Sequence, residues 1–237
     1  FFLNKIPTGW KKNFIFLGIL GGLQGFLGWW MVSSGLKGTM VDVASYRLAI
    51  HLTVAFIILS VIVWYILVLS NSEVIKNSNF MKRDFKLIFL INMVLFAIFF
   101  QIIFGALVAG IDAGKTFNDW PLMSGKWFPE DITYSSPKII SFIEDAGLVQ
   151  FNHRVLGYFI FFLSIVVWFF SVKSNNKKII IRANYFLIVI VGQVVLGIIT
   201  IIYSAPLYFA SAHQVLAILL VTLTLRLYFT IIYPSKN

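Results

Sequence analysis

The chain has 237 residues, 59% of them hydrophobic and 12% charged, with a mean hydropathy of +0.90, whereas soluble domains run near ~25% charged. With no cysteine it holds no disulfide, no thiolate metal site and no cysteine nucleophile. The net charge of +10 would suit nucleic acid, but in so apolar a chain basic residues mark the loops on one side of a membrane, and no nucleic-acid partner is expected.

Phe1 to Trp10 reads as the polar exit of something upstream more than as a signal peptide, so the sequence is expected to be a fragment. The first apolar segment, Phe14 to Val32, carries Gln24 and Gly28. The second, Leu48 to Leu69, opens beside Arg47 and His51, and the third, Leu87 to Ile111, contains Gln101 and Gly105. The longest connection follows, Asp112 to Gly147, with Asn118-Asp119-Trp120-Pro121 and Trp127-Phe128-Pro129. Aromatic residues mixed with proline suit an ordered lid or, equally, an interfacial belt on the headgroups. His153 and Arg154 lead into Val155 to Val172; Phe186 to Tyr203 contains Gln193 and Gly197; Ala210 to about Tyr228 contains His213. Segments of ~18 or more apolar residues cross a ~30 Å hydrocarbon core, and in lipid only a helix satisfies its own backbone. The expected fold is all-α, a polytopic transmembrane helical bundle with six spans.

Alternate connections differ in charge. One side carries Lys5, Lys11, Lys12, Lys76, Lys82, Arg83, Lys86, Lys173, Lys177, Lys178, Arg182, Arg226 and Lys236; the other carries Lys37, Arg47, Lys115, Lys126, Lys138 and Arg154, with most of the carboxylates. The excess of Lys and Arg predicts that both termini of this chain face the cytoplasm or matrix.

Gln-x-x-x-Gly recurs at Gln24 to Gly28, Gln101 to Gly105 and Gln193 to Gly197, each time in the outer half of an odd-numbered span. Each copy is followed by one of the chain's three histidines, His51, His153 and His213, near the outer start of the next span: three helix pairs on one template. Small residues let helices approach and a glutamine amide bonds across their interface, which accounts for the motif structurally. A functional account would use the glycine to admit a flat porphyrin.

Ionisable groups at membrane depth are costly, and three histidines at one depth read as ligands more readily than as three separate interhelical hydrogen bonds. Zinc or copper would want three or four convergent ligands, and no such cluster accompanies them. Two imidazoles on facing helices hold a heme iron by axial coordination, so heme fits better than a bare metal. Arg47 and Arg154 stand where cations pair with heme propionates or with headgroup phosphates. All nine acidic residues fall in loops or at helix ends, which argues against an ion pump. Trp29, Trp30, Trp64 and Trp168 are bulk near span ends.

The ordered set of motifs is specific: QGFLGWWMVSSGL at Gln24 to Leu36, Tyr46-Arg47-Leu48-Ala49-Ile50-His51-Leu52, FGALVAGIDAGKTFNDWPLMSG at Phe104 to Gly125, Asn152-His153-Arg154 and Ala212-His213-Gln214. Together they closely resemble the heme A synthase family, in the branch shared by mitochondria and related bacteria. The resemblance implies an eight-helix protein of two four-helix bundles in the bacterial or mitochondrial inner membrane, converting heme o to heme a by oxidising a ring methyl to a formyl group. It implies that His153 and His213 are the axial pair of a heme b cofactor, with Arg154 beside them, and that His51 is one ligand of the catalytic, substrate-heme site. Residues 1–72 would be the remaining half of the N-terminal bundle, and 73–237 the C-terminal bundle with its long outer loop 112–147. The family's first two spans, which carry a glutamate and a His-Arg motif, have no counterpart here, so the partner of His51 is missing. The sequence is then a piece of a longer chain or a truncated product inactive alone. The implied partners are membrane lipid, a heme O synthase supplying heme o, an unidentified electron donor and a second copy of the chain. Two rivals use the same histidines, a bis-histidine cytochrome that only carries electrons and a heme-delivery assembly factor.

Overall fold

The computed structural model describes residues 6–35, 42–78, 83–129 and 140–235. Lys5, Lys37, Lys82, Lys138 and Lys236, on which part of the charge asymmetry rests, lie outside the described residues, as does 130–139 of the long connection. The described chain is all-helical: α1 (Lys11–Val32), α2 (Ser45–Ser70), α3 (Ser72–Ser78), α4 (Phe85–Gly110), a 3-10 turn (Ala113–Lys115), α5 (Ser141–Glu144), α6 (Ala146–Val172), α7 (Lys177–Ile202) and α8 (Leu207–Ile232). Six of these, α1, α2, α4, α6, α7 and α8, are long and apolar enough to cross a membrane.

Helices α6 and α7 start well before the apolar runs within them, at Ala146 rather than Val155 and at Lys177 rather than Phe186. Capping sets these starts. Asp145 accepts a hydrogen bond from the Leu148 amide (2.8 Å), and Asn176 accepts from the amides of Lys178 (3.0 Å) and Ile179 (3.2 Å). Such caps stabilise a helix by about 1 kcal/mol. Hydropathy marks where lipid begins, whereas hydrogen bonds mark where the helix begins. As a result His153 lies inside α6, about two turns from its start, and so do His51 in α2 and His213 in α8.

Helices α4, α6, α7 and α8 close a four-membered ring of contacts, α4 on α6, α6 on α7, α7 on α8 and α8 on α4, so that α6 and α8 are diagonal. Helix α2 leans on α4 and α8, and α1 lies against α2. Apolar seams build the ring: Leu87, Ile91, Val94, Ile98 and Ile102 recur at helical spacing on α4, and Ile179, Ala183, Phe186 and Ile190 on α7. The packing is uneven between the two sides of the ring. Helix α7 has no buried residue after Ile190 and α8 none before Leu220, so on that side the core fills the half away from the histidines, whereas α4 and α6 bury residues along their whole length. Trp64 stacks among Tyr228, Phe229 and Tyr233 and fastens α2 to that well-packed end of α8.

Candidate functional site

Each histidine sits in the same contact. In the first helix pair Gln24 Nε2 donates to the His51 carbonyl (3.2 Å) and lies 3.3 Å from His51 Nε2. In the second, Gln101 Nε2 donates to the His153 carbonyl (3.0 Å) and lies 3.2 Å from His153 Nε2. In the third, Gln193 Nε2 donates to the His213 carbonyl (3.1 Å) and lies 3.3 Å from His213 Nε2.

The glycine one turn on receives the ring. A Cβ built on Gly28 would stand 3.0 Å from His51 Cε1, on Gly105 3.1 Å from His153 Cε1, and on Gly197 3.0 Å from His213 Cε1. The structural reading of the repeat is met: the amide bonds across the interface, its partner is the histidine, and the glycine makes room for the imidazole edge.

In all three contacts the histidine Nδ1 and the glutamine Oε1 are buried without a partner. They are six of the eleven such side-chain atoms among the described residues, and a concentration of this kind marks a place where packing stability was not the governing demand. His153 and His213, on the diagonal helices α6 and α8, are within electrostatic reach of one another. Among the described residues no three His, Cys, Asp or Glu side chains converge on a common point.

Arg154 is 7% exposed and grips the long connection. Its Nη1 donates to the carbonyls of Asp119 (2.9 Å) and Leu122 (2.9 Å), its Nη2 to that of Phe117 (2.9 Å), and its Nε is buried without a partner. Gln150 Nε2 donates to the same Phe117 carbonyl (3.0 Å). The loop also holds itself, because Asp119 accepts from the amides of Ser124 (3.0 Å) and Gly125 (3.1 Å). Burial pushes the Asp119 carboxyl up, but these amides and the Arg154 guanidinium more than offset it and hold it below the usual carboxylate range. Phe117 and Met123 are buried beneath the loop, whereas Trp120, Trp127 and Phe128 are exposed. The ordered-lid and interfacial-belt readings are therefore served by different residues of one segment. Arg47 is spent elsewhere: it donates to the Trp30 carbonyl (2.8 Å) and stacks 4.5 Å over the Trp30 ring, tying α2 to the end of α1.

Six membrane-length helices arranged as pairs, each pair closing one glutamine, one glycine and one histidine into the same contact, define a polytopic helical membrane protein with a repeated buried histidine. Residues 1–225 match the cytochrome oxidase assembly protein family, and the chain belongs to it. It is 46% identical over 231 residues to the heme A synthase of Dinoroseobacter shibae, which covers 98% of this chain and 60% of that protein. It is 44% identical over 241 residues to the heme A synthase of Paracoccus denitrificans, covering 100% of this chain and 63% of the relative. With the heme A synthase of Cereibacter sphaeroides the identity is 37% over 241 residues, 98% of this chain and 61% of the relative. The chain thus spans about 60% of the length of the curated relatives it matches.

Proposed function

We propose that this chain is the heme-bearing part of a heme A synthase-type oxidoreductase, which oxidises a ring methyl of heme o to the formyl group of heme a for cytochrome oxidase biogenesis. One observation carries the reading. Two imidazoles stand on diagonal helices of one four-helix ring, in the half of the bundle where α7 and α8 bury nothing, and each is held in the same way. The relatives are named heme A synthases, and the methyl oxidation is the reaction that the resemblance to that family implies.

The residues fit a heme. His153 and His213 would hold it, Gly105 and Gly197 give their rings room, and the unpartnered Nε of Arg154 would be a donor for a propionate. Heme b, when bound there, would supply one-electron transfer. The protein's part is to position and to shield. Arg154 holds the loop from Phe117 to Leu122 over the histidine end, which limits the access of water.

His51 would hold the substrate heme o from one side, in a half-bundle formed by residues 1–72, whose α2 packs on α4 and α8 of the heme b bundle of 73–237. The sequence has no fourth histidine, so a second axial ligand of that kind for His51 has to come from outside these 237 residues. Heme o arrives through the membrane, from a heme O synthase, and the electrons come from a separate donor. The Lys and Arg bias supports termini of this chain on the cytoplasmic or matrix side.

The test is a reduced-minus-oxidised and pyridine hemochrome spectrum of the purified full-length protein, with the extracted hemes separated by chromatography. Heme b together with heme o or heme a is the expected result. Heme b alone would favour a membrane cytochrome, heme o without turnover a delivery factor, and no heme at all would overturn the reading.

A further inference from the structure

The three glutamines carry information about the imidazoles that the ligand assignment alone does not. A backbone carbonyl only accepts hydrogen bonds, so the glutamine atom at 3.0–3.2 Å from each histidine carbonyl has to be the amide nitrogen. The same nitrogen lies 3.2–3.3 Å from the histidine Nε2, and as it can only donate there too, Nε2 must carry a lone pair. The ring proton is thereby assigned to Nδ1 from its hydrogen-bond partners. This is the tautomer in which Nε2 can bind a metal, and it is the less favoured one in free histidine. Its cost is visible, because the Nδ1 of each ring is buried and has no acceptor.

We infer that Gln101 and Gln193, and Gln24 in the third copy, are positioning residues that hold each imidazole in the metal-binding tautomer and occupy the Nε2 lone pair until iron takes it. The handover is simple: the N–H directed at Nε2 gives way, while the second N–H of the same amide stays on the histidine carbonyl and keeps the glutamine in place. The glycine completes the device by fixing the ring edge, since a Cβ at 3.0–3.1 Å would push it aside. The same three atoms meet in helix pairs that share no residue, which argues against a chance contact. The link to iron rests on the heme reading proposed above, whereas the tautomer assignment does not.

Nitrogen NMR of the full-length protein labelled with 15N-histidine and prepared heme-free gives one ring pattern per histidine, and those of the three histidines of this chain are each assigned by one His→Ala variant. The expected pattern has the proton on Nδ1 in all three rings. Gln101→Met, which has similar volume and no donor, is expected to move the proton in the His153 ring toward Nε2 and leave the other two unchanged, with a melting temperature near that of the wild type. The same variant and Gln193→Met should retain heme b about tenfold more weakly, as is usual when the partner that orients a ligand is removed, and Gln24→Met should retain it normally. A proton on Nε2 in the wild type, or a His153 pattern indifferent to Gln101→Met, would overturn the inference. If the wild-type protein binds no heme, the functional reading fails by itself, and the nitrogen patterns still decide the role of the glutamines.

Discussion

Replacing Arg154 by methionine should release the loop without unfolding the bundle. The guanidinium makes three hydrogen bonds of 2.9 Å to the carbonyls of Phe117, Asp119 and Leu122. Hydrogen bonds from a charged donor contribute about 1.5–3 kcal/mol each, and the desolvation of a largely buried guanidinium takes back several kcal/mol. The net loss on loop opening is then about 2–4 kcal/mol, which multiplies the open population by roughly 30 to 1,000 at ~1.4 kcal/mol per factor of ten. Hydrogen exchange reads this directly at the Ser124 and Gly125 amides, which are protected only while Asp119 is in place. Their exchange should accelerate by that factor in Arg154→Met, while amides in the buried half of α4 and α8 hold their rates. Arg154→Lys should recover little, because one ammonium on a flexible stem does not reach three carbonyls. Unchanged loop protection in Arg154→Met would refute the clamp and leave the buried Phe117 and Met123 as what holds the segment.

Three further outcomes follow from the site. His153→Ala or His213→Ala should abolish heme b retention, measured by pyridine hemochrome, whereas His51→Ala leaves it largely intact; loss in all three, or in none, contradicts the pairing. Gly105→Ala and Gly197→Ala bring a Cβ to 3.1 and 3.0 Å from an imidazole carbon, so each ring must shift by a few tenths of an ångström, with about a tenfold loss of heme per protein. Gly21→Ala, with nothing within 4 Å of the new Cβ, is the matched control and should be silent. The Asp119 carboxyl has a folded value below its unfolded one, so its contribution to loop stability is fully present above about pH 4 and is lost as pH falls through the folded value. Loop exchange corrected for intrinsic rate should be flat from neutral pH to about 4 and rise below it, and Asp119→Asn should remove that dependence.

The spans were readable because lipid imposes one requirement on every backbone group, and a run such as Leu87 to Ile111 has no other way to meet it. The histidines were readable because three ionisable groups at one depth stand out in such a chain. Helix starts were not, since the first turns of α6 and α7 are held by Asp145 and Asn176 in polar sequence where hydropathy is silent. The engagement of Arg154 was hidden for a different reason. Its partners are main-chain carbonyls 32 to 37 residues away, and a carbonyl carries no side-chain signature. Gln-x-x-x-Gly was visible as a pattern, but which atom meets which depends on the rotation of one helix about its neighbour, a quantity that spacing alone leaves open. Met123 and Phe117, the buried anchors of the loop, were masked by the more conspicuous tryptophans beside them, which point outward.

Every glutamine contact is closed inside a single hairpin, between helices that are consecutive spans along the chain, with 27, 52 and 20 residues separating the partners. A membrane protein enters the bilayer a few helices at a time, and a hairpin is the smallest unit that can settle there by itself. Each hairpin of this chain can therefore set its own imidazole during insertion, before the others have arrived. Assembly of the four-helix ring then has only to bring two finished halves to face one another, and the imidazoles need no later search for their orientation.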